Sequence, residues 1–173
     1  MSGLGAILAG RIGAGTAKAL GRTARPGALW PFLFDGDKRA SDNAAWALTH
    51  LPRAANAWLT ERQDALIDEA MRTASTTKRR LLLNLLRRTA FERDRIRPDF
   101  LDFCFNLMLS DEPVGVRVLA VKLAYAQSAH YPELLAEFDT SLKMIDAAAL
   151  PASLRCVRGK MLRAVRSLQY DDT

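Results

Sequence analysis

Four segments of the chain line up with one another at offsets of 35, 37 and 38 residues, and the same positions stay apolar in each. Three columns carry the pattern: Trp46/Leu81/Val118/Cys156, Ala47/Leu82/Leu119/Val157 and Leu51/Leu86/Leu123/Met161. A fourth, Ala54/Thr89/Ala126/Ala164, stays small. A period in this range marks a stack of helical hairpins. One hairpin has no second surface against which to bury its apolar face. Stacking supplies that surface, so the stack as a whole is the folding unit.

The sequence between the columns fits four hairpins. The first pairs a short segment at residues 28–34 with a helix over 41–51, across the turn Asp35-Gly36-Asp37. The second pairs residues 55–73 with a helix from the break Ser75-Thr76-Thr77 to about 91. The third runs over 98–109 and 113–129, and the fourth over 132–147 and 151–168. Pro98, Pro113, Pro132 and Pro151 each open a segment, where a missing backbone N–H costs nothing. Ser75 or Thr76, and Ser110 or Asp111, are placed to cap helix starts. Phe100, Leu101, Phe103, Cys104, Leu107 and Met108 follow helical spacing, as do Leu134, Leu135, Phe138, Leu142 and Ile145. Strand signals, runs of β-branched and aromatic residues between turn residues, are absent. Cys104 and Cys156 both sit in apolar helical patterns and read as buried free thiols.

The net charge of +6 suggests a polyanionic partner, but its distribution is uneven. Residues 1–34 hold Arg11, Lys18, Arg22 and Arg25 and no acid; the remaining 139 residues carry 21 basic and 19 acidic side chains. Residues 1–27 also contain six glycines between Gly3 and Gly21. Each Gly inside a helix costs about 0.5–1 kcal/mol relative to Ala, so this stretch reads as an N-terminal arm, flexible or weakly helical, ahead of a repeat domain over 28–170. Three uses of the arm stay open: a plain tail, a basic segment for a membrane surface (through residues 1–25), nucleic acid or a partner helix, and a targeting peptide. Arg11 interrupts the apolar run too early for a secretory signal, and no stretch reaches the ~20 apolar residues of a membrane span. The expectation is a cytoplasmic protein.

The third hairpin carries a family likeness. Ser110-Asp111-Glu112-Pro113-Val114-Gly115-Val116-Arg117-Val118-Leu119-Ala120 resembles the inter-helix turn and second helix of HEAT repeats, as found in small bacterial HEAT-like proteins. The resemblance implies an all-α fold, a short right-handed α-solenoid of about four stacked hairpins. It also implies an inter-repeat ladder in which an Asp near the turn pairs with an Arg six residues on, here Asp111 and Arg117. Arg80 and Arg155 fall in the Arg117 column, but alanines stand six residues before them, at Ala74 and Ala149. HEAT-like families include protein scaffolds and some DNA-binding glycosylases, and the fold alone does not choose among such uses.

Two surfaces stand out. The last helix bears Arg155, Arg158, Lys160, Arg163 and Arg166 with no acid between Asp146 and Asp171, which reads either as a solvated capping face or as an anion or nucleic-acid surface. Trp30, Phe32 and Phe34 read as a seal on the open end of the stack or, if exposed, as a patch for a partner. Trp46 reads as core. His50 and His130 lack a nucleophile or metal-ligand set at usable spacing, and no phosphate loop or dinucleotide fingerprint occurs. The chain is therefore expected to be no enzyme, to need no cofactor or metal and to have no small-molecule substrate. Its expected role is a scaffold or adaptor that offers a concave helical surface to a protein partner. The alternatives are nucleic-acid binding through Arg80, Arg117, Arg155 and the last helix, and membrane attachment by the arm.

Overall fold

The structure is a computed structural model; it describes residues 3–171, with side chains through Leu168. Among the described residues every regular element is a helix. The chain divides after Thr89 into two compact units, and each holds its own core.

The first unit opens with α1 (Gly3–Ala9), α2 (Ala14–Thr23) and α3 (Pro26–Leu29), which runs into a 3₁₀ turn, Trp30–Phe34. Then come α4 (Lys38–Thr49), a 3₁₀ turn at Arg53–Ala55, α5 (Asn56–Thr60), α6 (Gln63–Arg72) and α7 (Thr76–Leu86). The centre is α4, against which α1, α2, the Trp30–Phe34 turn and α7 all pack. Its start is fixed by Asp37, whose carboxylate accepts from the amides of Arg39 and Ala40 at 2.8 and 3.0 Å. Ser75 caps α7 in the same way, accepting from the Lys78 amide, as the sequence predicts. Such a cap contributes about 1 kcal/mol. The apolar faces of α4, α6 and α7 meet at Leu48, Leu66, Leu82 and Leu85, all fully buried, and each contributes roughly 1.5–3 kcal/mol by leaving water.

Residues 3–23 are not set apart from the repeats. Leu8, Ala17 and Gly21 are buried where α1 and α2 meet α4, and the boundary expected after residue 27 falls inside the first unit. The small residues make this packing possible. A Cβ on Gly21 would lie 2.2 Å from the carbonyl oxygen of Ala47, so only glycine lets α2 approach α4 this closely. Asn43 on α4 ties down the end of α1 by donating to the carbonyls of Leu8 and Gly10 at 2.8 and 2.9 Å.

The second hairpin departs from its expected form. The helix predicted over 55–73 is broken at Glu61 and Arg62, where the Arg62 guanidinium turns back over the Trp58 ring at 4.0 Å and donates to the Trp58 carbonyl. Gln63 is buried beyond the break and donates to the Thr89 hydroxyl at 2.7 Å, which joins the two ends of the hairpin. The following helix stops at Leu86, not near 91.

The second unit has a 3₁₀ turn at Arg93–Arg95 and then α8 (Pro98–Leu109), α9 (Val114–Ser128), α10 (Pro132–Met144) and α11 (Ala152–Asp171). The predicted hairpin limits hold to within a few residues. Here α9 is central, with α8, α10 and α11 packed on it. Phe138 on α10 meets Phe105 and Tyr125 with ring centres 6.3 and 5.9 Å apart. The start of α9 differs from expectation: Pro113 occupies the capping position without a side-chain cap, while the Ser110 hydroxyl accepts from the Glu112 amide in the turn. Cys104 is fully buried, and burial pushes its thiol pKa up, opposed only by the Gln127 amide. Cys156 is a correction: it is exposed, because its column lies at the edge of the packed face.

Candidate functional site

Within each unit the second helices of adjacent hairpins pack on each other, α4 with α7 and α9 with α11. In the first unit α4 and α7 run in the same direction. Ser75, before α7, donates to the Asp42 carboxylate near the start of α4, and Arg88, past the end of α7, donates to the carbonyl of Thr49 at the end of α4. Arg88 also holds Pro52 and Asn56, and its partial burial lowers its pKa from the usual arginine value.

Along this pair runs a groove of about 600 Å³. Its floor is Trp46 and Leu81, and Arg39, Asn43, Thr77 and Arg80 stand on its walls. Trp46, expected in the core, is half-buried and open to the groove. The reason is register. The column of Trp46, Leu81, Val118 and Cys156 forms the edge of the packed face, whereas Leu51, Leu86, Leu123 and Met161 are all buried at its centre. Asp42 also lines the groove, but its carboxylate is taken by Lys38 and Ser75. Arg39 and Arg80 are exposed and have no carboxylate partner among the described residues.

A second hollow, of about 420 Å³, lies at the turn end of the same two hairpins. The buried ammonium of Lys78 sits there, donating to the Leu33 carbonyl at 2.7 Å and to the Glu69 carboxylate, whose other oxygen takes Arg72. Phe34, 41% exposed, lies on its rim. Trp30 and Phe32, the rest of the aromatic patch, are half-buried, and Trp30 meets Phe34 and Trp58 edge-on at 5.3 and 5.4 Å. The patch is thus mostly folded into the first unit, with Phe34 its open member.

The arginine column resolves differently from a ladder between repeats. Arg117 donates to the carbonyl of Met108, at the end of its own hairpin's first helix, and makes no ion pair with the exposed Asp111 among the described residues. Arg155 likewise donates to Ala147 and Leu150. In the second hairpin the matching residue is Arg79, which holds the carbonyls of Ala70 and Thr73, while Arg80 faces the groove. Arg79 and Arg117 satisfy carbonyls at the ends of α6 and α8 that have no partner within the helix, and Arg155 holds carbonyls of the loop between α10 and α11. The sequence signal for the device is the equal spacing of Arg79, Arg117 and Arg155, 38 residues each time.

On the last helix, Arg158 also serves α10, donating to Leu142 at 2.8 Å. Arg155, Lys160, Arg163 and Arg166 are exposed, and Arg158 is half-buried. Just before α8, Arg97 binds Asp99 and holds its carboxyl below the usual carboxylate range. Among the described residues no three His, Cys, Asp or Glu converge as a metal ion requires, and no helix is long and apolar enough to cross a membrane.

The carbonyl-holding arginines, the buried columns and the packed second helices together describe one repeated hairpin design. No curated protein and no solved structure matches the chain. The family model of the HEAT repeat domain matches residues 10–165, nearly the whole length, and the chain belongs to the HEAT repeat family.

Proposed function

We propose that the chain is a non-catalytic scaffold that docks a protein partner in the groove between α4 and α7. HEAT repeats generally serve as protein–protein interaction scaffolds. The observation that carries the finer reading is Trp46: a large aromatic side chain half-exposed on a groove floor, with Leu81 beside it and Arg39 and Arg80 unpaired on the walls. Buried aromatic anchors ringed by polar groups dominate binding energy in protein interfaces. The fitting occupant is a segment with one bulky apolar side chain flanked by carboxylates. Cytoplasmic placement suits the two free thiols, which an oxidising compartment would tend to pair.

The test is affinity purification with the wild type and with Trp46→Ala/Arg80→Glu, each confirmed folded by circular dichroism. Proteins retained by the wild type and lost by the variant support the groove. An identical set from both removes it as the docking site. A turnover activity lost on a single point substitution would remove the non-catalytic reading.

A further inference from the structure

The two units differ in charge. Residues 1–89 carry 14 basic and 7 acidic side chains, net +7, and residues 90–173 carry 11 and 12, net −1. The whole positive excess of the chain therefore belongs to the first unit. The stretch before Asp35 carries four of the unit's cations and no acid.

Folding puts those cations on a fixed surface. Ala17 and Gly21 face α4, and the flank of α2 about 100° round from them presents Lys18 and Arg22, one turn apart and both exposed. Arg11 lies in the link before α2, and Arg25 directly after it; both are exposed. None of the four side chains has a hydrogen bond or ion pair among the described residues. The close approach of Gly21 to Ala47 and the bonds from Asn43 to the end of α1 hold this face in place, so the charges are preorganised.

We propose that this face, formed by Arg11, Lys18, Arg22 and Arg25, binds the phosphate backbone of nucleic acid without reading its sequence. The side chains between the cations select that partner. Gly15, Thr16, Ala19 and Thr23 are exposed and small, and the large apolar residues among the cations, Ile12 and Leu20, are half-buried, so the surface has charge but no exposed aromatic or apolar anchor. A protein interface needs a desolvated apolar or aromatic centre, which the groove has and this face lacks. A membrane-bound helix needs an apolar face to insert. Here that face is used against α4, Leu8 is buried, and Ile7 is the one exposed large apolar side chain described before Pro31. A phosphate polymer needs neither, because release of its condensed counterions drives association. None of the four cations lines the α4–α7 groove, and the proposal does not depend on the groove's function.

The experiment is fluorescence anisotropy of a labelled short mixed-sequence DNA duplex, titrated with the full chain at several salt concentrations from about 50 to 200 mM. The expected plot of log affinity against log salt has a slope of about −3 to −4, since each of four neutralised phosphates contributes about −0.9. Lys18→Gln/Arg22→Gln should flatten that slope by about 2 and weaken binding at low salt, with an unchanged circular dichroism spectrum. Arg163→Gln/Arg166→Gln and Trp46→Ala/Arg80→Ala should each leave duplex affinity within twofold. No wild-type binding at about 50 mM salt overturns the proposal. So does an unchanged slope in the α2 variant, or loss of binding in either of the other two. Binding to phosphatidylserine-containing vesicles without binding to duplex would overturn it in favour of a membrane surface.

Discussion

Gly21 and Ala47 are in backbone contact: a Cβ added to Gly21 would stand 2.2 Å from the Ala47 carbonyl oxygen and 2.6 Å from the Cβ of His50. Neither obstacle is the mobile end of a side chain, so α2 must move away if the residue grows. Gly21→Ala should therefore lower stability by about 1–3 kcal/mol despite the better helix propensity of alanine. Gly15→Ala is the control. Nothing lies within 4 Å of the added atom, and the change should be neutral or stabilise by up to about 1 kcal/mol. Urea unfolding of the pair checks this. Equal midpoints would mean that α2 does not dock on α4 as described.

Glu69 and Lys78 form a buried pair, 4% and 6% exposed, but their surroundings are unequal. Removing Glu69 leaves the ammonium with the Leu33 carbonyl alone. Removing Lys78 leaves the carboxylate with Arg72, and leaves Leu33 with the Ser41 hydroxyl. Glu69→Ala should thus cost roughly 3 kcal/mol or more, and Lys78→Met clearly less. Glu69→Leu/Lys78→Met, which exchanges the pair for apolar side chains of similar size, should recover most of the loss. Additive costs in the double variant would contradict this account.

Arg117 bonds to a helix-end carbonyl and not to Asp111, which separates two substitutions that a ladder would couple. Asp111→Ala should change stability by less than about 0.5 kcal/mol, as for other exposed sites. Arg117→Ala should cost about 1 kcal/mol, and Arg79→Ala more, because Arg79 holds two carbonyls. A double-mutant cycle between Asp111 and Arg117 should give a coupling near zero; a clear coupling would restore the ion pair.

The hairpins were legible because their signals are local and repeated. Leu51, Leu86, Leu123 and Met161 recur at the stacking period, and Pro98 marks the start of α8 to the residue. The failures share a different cause. The glycine-rich start reads as a weak helix because the use of Gly21 depends on Ala47, which only the fold brings near. The break at Glu61 and Arg62 rests on Gln63 reaching Thr89, 26 residues away. The apolar columns put Arg80 in register with Arg117 where the structure uses Arg79, and one residue is about 100° of helix rotation, enough to exchange a carbonyl cap for a groove wall. The groove itself was hidden for the same reason, since Trp46 fits an apolar column whether that column lies at the centre of the packing or at its edge.

Cys104 and Cys156 should differ sharply in reactivity, because only the thiolate reacts and burial disfavours it at Cys104. A thiol reagent near neutral pH should modify Cys156 in the native protein and reach Cys104 only on unfolding. The same burial predicts a pH effect. The folded thiol stays protonated above the ordinary value of 9.0, whereas the unfolded thiol ionises there. Below 9.0 both states hold the proton and stability does not respond. Above it the unfolded state loses the proton first, so stability falls as pH rises, by up to about 1.4 kcal/mol per pH unit. Other groups titrate in that range, so the contribution is read as a difference: Cys104→Ala should show a shallower alkaline loss than the wild type. Parallel stability curves for the two proteins above pH 9 would show that the thiol ionises as readily in the folded chain as in the unfolded one.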